Sequence, residues 1–297
     1  MSYYNEIKDN LINNEVYKRV KDYSKTRSDL NTYYAVGKLL SLAGKHYGEG
    51  IIKEYSERLT NELGKKYNER TLRRFRQFYE VFSINVKWSA MPTKLTWSHY
   101  IELLSLKDIN EINYYVELSI ENNLSYRELH DKIKENQYNR LSLNTKKKII
   151  EKSKLTLKDS LPNPILVSNK SNIEVINEKI LHQLILEDIS LFMEQLGIGY
   201  SFIKSEYKIK IGDRYNYIDL LLYNIEYNCY VVVELKVTEL KKEHIGQIGI
   251  YMNYIDSNLK QINQGKTIGI IICKKDNRFV MEYCSDSRIL SREYKLV

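Results

Sequence analysis

The feature that most constrains this chain is a change of hydrophobic period at Gly199. Upstream, apolar residues recur at helical spacing. Downstream, they alternate or run unbroken over strand-length segments. No single kind of element satisfies both patterns, so a helical part must precede a part built on a sheet. A chain of 297 residues has room for about two domains.

Helical spacing runs through VYKRVKDYSKTRSDLNTYYAVGKLLSL, IIKEYSERLTNEL and ELLSLKDINEINYYVELSIENN, with Pro92 punctuating SAMPTKLTWSHY. Residues 1–140 are therefore expected to form an all-helical domain. Residues 141–172 change character: a cluster from Lys146 to Lys148 is followed by LPNPILVSNKSN, with two prolines. That segment is expected to be a linker. A long amphipathic pattern then spans IEVINEKILHQLILEDISLFMEQLG and ends at Gly197, a suitable helix cap. SEYKIKI, YNYIDLLLY and CYVVVELKV are short and rich in β-branched and aromatic residues, as strands are. NIEYN separates the last two as a hairpin loop. EHIGQIGIYMNYIDSNL is helical, and TIGIIICKK is apolar enough to be buried on both faces. NRFVMEYCSDS fits helix or strand. Residues 173–297 thus predict an α/β domain with a mixed central sheet flanked by helices.

Charge separates the halves. Residues 1–160 hold 29 Lys and Arg against 21 Asp and Glu, whereas residues 161–297 hold 17 of each. A basic half joined to a neutral one is the electrostatic outline of a nucleic-acid binder, although surplus lysine also confers solubility. The 26 tyrosines count for less, because Tyr, Asn, Ile and Lys share AT-rich codons. Three widely spaced cysteines, Cys229, Cys273 and Cys284, fit a reducing compartment without a disulfide framework. No apolar run approaches the ~20 residues of a membrane-spanning helix. MSYYNEIKDN lacks the pattern of a secretory signal. The expectation is a soluble cytoplasmic protein.

The chemistry is concentrated at Glu234-Leu235-Lys236, which follow the apolar run from Tyr230 to Val233. Alternation puts Glu234 and Lys236 on one face of a strand and Val233, Leu235 and Val237 on the other. Asp219 interrupts the apolar run of the preceding strand. A hairpin would set Asp219 beside Glu234. Buried charges are costly unless paired or bound to an ion. Two carboxylates and a lysine on one face can hold a hard cation, Mg²⁺ or Mn²⁺, through Asp219 and Glu234. Such an ion polarises a phosphate and lowers the pKa of bound water. The bland alternative is a cross-strand ion pair at the sheet end. His46, His99, His130, His182 and His244 show no metal-ligand spacing, and there is no P-loop or nucleophile elbow.

The arrangement Asp-x(14)-Glu-x-Lys, after a helix carrying an acid, resembles the PD-(D/E)XK nuclease superfamily. The likeness is nearest to YhcG-like proteins of its resolvase-like branch. It is carried by FMEQLGIGYSFIKSEYKIKIGDRYNYIDLLLY, YVVVELKVTELKKEHIGQIGIYMNYID and TIGIIICKK, and in the front half by ELGKKYNERTLRRFRQFYEVF and LTWSHYIELLSLKD. The resemblance implies a restriction-endonuclease-like fold behind a helical domain. It also implies a metal-dependent deoxyribonuclease, with branched or recombination-type DNA among its possible substrates. Asp219 takes the place of the metal aspartate, and Glu234 and Lys236 that of the ExK pair. Gln247 matches a polar position in the next helix, with a phosphate or the catalytic water as partner or a plain solvating role. Glu187 is the match for the first-helix acid, with Glu178 and Glu194 on the same helix. Ile218 stands where the superfamily's proline would precede the aspartate. The rival expectation is a catalytically inactive nucleic-acid-binding or assembly module on a degenerate nuclease fold.

In the helical half, Leu72, Phe75, Tyr79 and Phe82 form one stripe, and Arg70, Arg73, Arg74 and Gln77 an opposing one. An amphipathic helix with an arginine and glutamine face suits groove or phosphate contact, or simple solvation. Trp88 and Trp97 read as core. The partner expected is DNA, with RNA and a homodimer left open, and no membrane.

Overall fold

The computed structural model describes residues 3–19, 25–48, 50–85, 95–197 and 199–297. Trp88 and Pro92 lie outside them. The chain divides into two compact units, Met1–Tyr138 and Asn139–Val297.

Among its described residues the first unit holds helices and no strand: α1 (Tyr3–Arg19), α2 (Lys25–Tyr47), α3 (Ile51–Leu63), α4 (Glu69–Asn85), α5 (Trp97–Leu103), α6 (Ile109–Glu121) and α7 (Tyr126–Lys134). Gly37 lets α2 and α4 approach closely, because a Cβ there would collide with the Phe75 carbonyl. The buried stripe of α4 is Leu72, Phe75, Phe78 and Phe82. Phe78 takes the central place expected for Tyr79, which sits at the margin against Tyr34. Trp97 packs against Tyr33, Phe75 and Phe78, as core.

The second unit opens with α8 (Leu143–Ile150), α9 (Leu157–Ser160) and β1 (Ile165–Val167), so the segment expected to be a linker is folded. Every residue of β1 is buried, and β1 pairs in parallel with β6 (Ile289–Leu296). The Arg292 guanidinium donates to the carbonyls of Leu161 and Lys158, at 3.1 and 2.9 Å. Lysines and prolines suggested a spacer; the apolar triplet between them is a sheet strand.

After β1 come α10 (Glu178–Glu187), α11 (Ile189–Leu196), β2 (Tyr200–Ile211), β3 (Arg214–Asn224), β4 (Cys229–Glu239), α12 (Lys242–Asn258), β5 (Ile268–Lys275) and α13 (Arg278–Glu282). The one long helix expected before Gly197 is two. Asp188 leaves helical geometry, and its side chain caps α11 by accepting from the Leu191 N–H. The six strands lie in the order β1-β6-β5-β4-β3-β2. β1, β6, β5 and β4 are parallel, whereas β4–β3 and β3–β2 are antiparallel. The α/β unit with a mixed sheet is thus the observed fold class. One face packs Leu220, Leu222, Val231, Val233 and Leu235 against α10 and α11. The other packs Leu221, Val232 and Ile271 against Ile248, Met252 and Ile255 of α12. Gly269 makes room for α12, since a Cβ there would lie 2.6 Å from Met252 Sδ. No described helix is long and apolar enough to cross a membrane.

Candidate active site

β3 and β4 pair with Leu220 opposite Val233, which brings Asp219 to the Glu234 end of the ladder. Alternation along β3 fails at this point. Ile218 packs on the α12 side and Leu220 on the α10 side, although residues two apart should share a face. The β2–β3 ribbon therefore turns at Asp219. Across from it, Glu206 carries a left-handed φ of 47°. A strand irregularity of this kind re-aims a side chain beside a site. Asp219 uses its freedom to accept the Leu235 N–H at 2.7 Å through Oδ2.

Glu234 and Lys236 point to the α12 face. They are 2% and 8% exposed. Lys236 Nζ donates to Glu234 Oε1 at 3.0 Å and stands 3.7 Å from Glu178 Oε1. Gln247 Nε2 on α12 donates to the same Glu234 Oε1 at 3.0 Å, and lies 3.0 Å from the Tyr251 hydroxyl. His182 Nε2 is 3.2 Å from the Asp219 backbone carbonyl. Among the described residues, Glu234 Oε2 is buried with no hydrogen-bond partner.

The electrostatics follow from that geometry. Burial, then repulsion from Asp219, pushes the Glu234 carboxyl up to about 7, against the pull of Lys236. Burial also raises Asp219, with Glu178 adding to the rise, although the Leu235 N–H, Lys236 and His182 all oppose it. Burial works against the charge of Lys236, but Glu234, Glu178 and Asp219 outweigh it and hold its pKa above the ordinary value. Two carboxylates are thus crowded beyond what one ammonium neutralises. An extra cation relieves both.

Hard oxygen donors fit a divalent ion here: among the described residues, Glu234 Oε2 lacks a partner, and Asp219 engages only Oδ2 in a hydrogen bond. Among the described residues, no group of three or more His, Cys, Asp and Glu side chains is placed to hold a metal. Two carboxylates, with water and substrate phosphate completing the octahedron, is the ordinary pattern for Mg²⁺.

Asp219, Glu234, Lys236 and Gln247 come together. Glu187 does not: it is exposed and accepts from Gln183 at 2.9 Å. Nine residues on a helix make two and a half turns, so Glu187 faces away from the side that carries Glu178. Glu178 is the acid of α10 that reaches the cluster. His182, one turn after Glu178, and Tyr251, one turn after Gln247, are members that the sequence reading passed over. Spacing of i, i+4 from a site residue was the available signal.

In the helical unit, Arg70, Arg73, Arg74 and Gln77 line a shallow recess on α4 with Asn68 and Glu69. Arg73 is paired with Glu69 at 2.7 Å, and Gln77 donates to the Leu104 carbonyl at 2.8 Å.

Residues 154–296 match the model of the YhcG PDDEXK nuclease domain, and residues 11–140 that of the DUF1016 N-terminal domain. The chain is 21% identical over 288 residues to "Putative nuclease YhcG" of Escherichia coli (strain K12), covering 84% of this chain and 77% of that one. Among solved structures it is similar to a repair endonuclease from Pyrococcus abyssi, at 16% identity and a TM-score of 0.29 over 41% of this chain. It is also similar to an EndoMS–dsDNA complex, at 16% identity and a TM-score of 0.31 over 42% of this chain. Each of those matches spans 48% of the solved chain. With both halves matched in order, the chain belongs to the YhcG-like family of the PD-(D/E)XK nuclease superfamily.

Proposed function

We propose that the protein is a Mg²⁺- or Mn²⁺-dependent deoxyribonuclease that hydrolyses phosphodiester bonds at the Asp219–Glu234–Lys236 cluster, with the helical unit binding DNA. The observation that carries this reading is the unpartnered, buried Glu234 Oε2 beside a second crowded carboxylate. A purely structural ion pair would have satisfied both oxygens.

Asp219 and Glu234 would hold the ion, which supplies a polarised phosphate and a more acidic water. Asp219 is fixed for that task by the Leu235 N–H. Lys236, held protonated by its three acidic neighbours, offers its charge to the phosphate oxygen that gains negative charge on attack. Gln247 fixes Glu234 from the helix side. Glu178, half exposed, sits where it can orient a water toward the phosphate while still balancing Lys236. On α4, Arg70 and Arg74 are the groups assigned to DNA phosphates. A cytoplasmic location, where chromosomal or invading DNA is reachable, belongs to the same reading.

The test is incubation of end-labelled duplex, branched and single-stranded DNA, and matched RNA, with Mg²⁺ or Mn²⁺. The reading expects metal-dependent DNA cleavage that disappears in Asp219→Asn while the melting transition is retained. DNA binding without cleavage under every metal would instead assign a binding module on a degenerate nuclease fold.

A further inference from the structure

The β2–β3 ribbon has a solvent face that the hydrolytic cluster does not use. β2 is the edge strand of the sheet, and the ribbon closes in the two-residue loop Gly212–Asp213, between the paired Ile211 and Arg214. Gly212 has a φ of 60°, so the tip is a tight turn. Beyond the kink at Asp219, one face of the ribbon is anchored: Tyr207, Ile209 and Ile218 pack into the α12-side core. The other face carries Lys208 opposite Tyr217 and Lys210 opposite Tyr215. Tyr215 is 57% and Tyr217 53% exposed. Lys208 Nζ lies over the Tyr215 ring, 3.7 Å from its centroid. Neither lysine forms an ion pair among the described residues.

Genome composition accounts for the number of tyrosines, not for their pairing with lysines on one ribbon face. The simplest use of such a face is its own stability, since cross-strand Lys–Tyr pairs hold ribbons together. Position argues for more. Tyr217 is two residues before Asp219, about 7 Å along the strand. Tyr217 stands on the side opposite α12, but β3 pairs with β4 only from Leu220 onward, so a polynucleotide with a phosphate at Asp219 and Glu234 can pass round the open edge of β3 to Tyr217, then to Lys208 and Lys210. Exposed rings interleaved with ammonium groups that no described carboxylate neutralises are what an unpaired strand binds: rings stack on bases and ammonium groups neutralise phosphates. A closed duplex keeps its base faces stacked and offers the tyrosines nothing comparable.

We infer that this face, Lys208, Lys210, Tyr215 and Tyr217, grips nucleotides that are unpaired next to the cleaved phosphate. The inference rests on the nuclease reading for the position of that phosphate. It narrows the substrate to nucleic acid with a single-stranded segment at the cleavage point.

Binding of the full-length protein to a labelled single strand and to a blunt duplex, in Ca²⁺ and across salt, tests it. Lys208→Ala/Lys210→Ala should lower the slope of log affinity against log salt on the single strand by about 1.4, about 0.7 per lost contact. Lys208→Arg/Lys210→Arg should restore it. Tyr217→Ala should weaken single-strand binding roughly 5-fold to 150-fold with the slope unchanged, and Tyr217→Phe should not. Duplex affinity should move far less. Folded variants that bind the single strand as the wild type does overturn the inference. So do equal losses on both substrates, or a wild type that binds no single strand. Loss of binding in the ribbon variants of a protein that cleaves nothing would support the ribbon and sink the nuclease reading. Unchanged binding beside cleavage that depends on Glu234 would do the reverse.

Discussion

Glu234 meets two opposed demands. It is buried deeply enough to prefer its proton, yet holds Lys236 and Gln247 through one oxygen, as a carboxylate does. Its pKa of about 7 has a consequence for stability. The folded state keeps a proton that the unfolded chain releases near 4.5, so stability falls as pH rises from about 4.5 to 7, and the penalty is complete above that. The wild-type melting temperature should therefore fall more between pH 5 and pH 8 than that of Glu234→Gln. At pH 8, Mg²⁺ should raise it in the wild type and not in the variant, which has lost a ligand charge. Parallel melting curves with and without Mg²⁺ would remove the metal from this site. A second expectation separates the acids of α10. Glu178→Gln should slow cleavage by about tenfold or more, in the range of groups that orient a site's ligands, whereas Glu187→Gln should leave it unchanged. The reverse result would restore Glu187 to the site.

The site's core was legible because two-residue alternation fixes faces. Glu234 and Lys236 had to point together, and Asp219 had to be explained inside an apolar strand. What was hidden depends on tertiary placement. Glu178 and Glu187 share α10, and which of them meets the sheet depends on how that helix is rotated against it; Glu194 is set apart by the break at Asp188, and an Asp inside an amphipathic run gives no warning of that.

Among the elements, those with strong internal patterns were readable: β3, β4, β5 and α12. The β1 strand was not, because three residues between polar stretches carry no period. Nor was β6, whose ILSREYKL alternates weakly and draws its pairing from β5 and β1. Both depend on long-range partners, as strand preferences usually do. On α4, the ion pair of Arg73 with Glu69 leaves Arg70 and Arg74 as the stronger candidates for phosphate contact. Reversing Arg70 and Arg74 to Glu should weaken duplex binding and lower its salt slope by about 0.9 for each lost contact. The buried stripe is untouched, so the fold should persist. An unchanged slope in a folded variant would leave α4 a solvated face.

For the whole molecule, the boundary lies earlier than the lysine-rich segment suggested. A fragment of residues 139–297 should fold cooperatively, because it contains β1 and both carbonyls that hold Arg292. A fragment of residues 173–297 loses them. It leaves the β6 edge bare and the Arg292 guanidinium without two acceptors, so it should aggregate or lack a sharp melting transition. Equal melting of the two fragments would show that residues 141–172 are dispensable. Charge does not divide at this boundary: Met1–Tyr138 holds 22 Lys and Arg against 19 Asp and Glu, and Asn139–Val297 holds 24 against 19, because the lysine-rich segment belongs to the second unit. Salt-dependent binding should thus be shared by both units, and hydrolysis should reside in the second.

The most direct test of that hydrolysis is single-turnover cleavage of a labelled DNA by wild type and Glu234→Gln across a Mg²⁺ titration, with affinity measured on the same samples in Ca²⁺. The expected result is a loss of rate on the order of 100-fold or more, with affinity unchanged or tighter because a negative charge has been removed. Cleavage within about twofold of wild type, beyond any effect expected of a lost metal ligand, would contradict the assignment of Glu234 and move the chemistry away from this cluster.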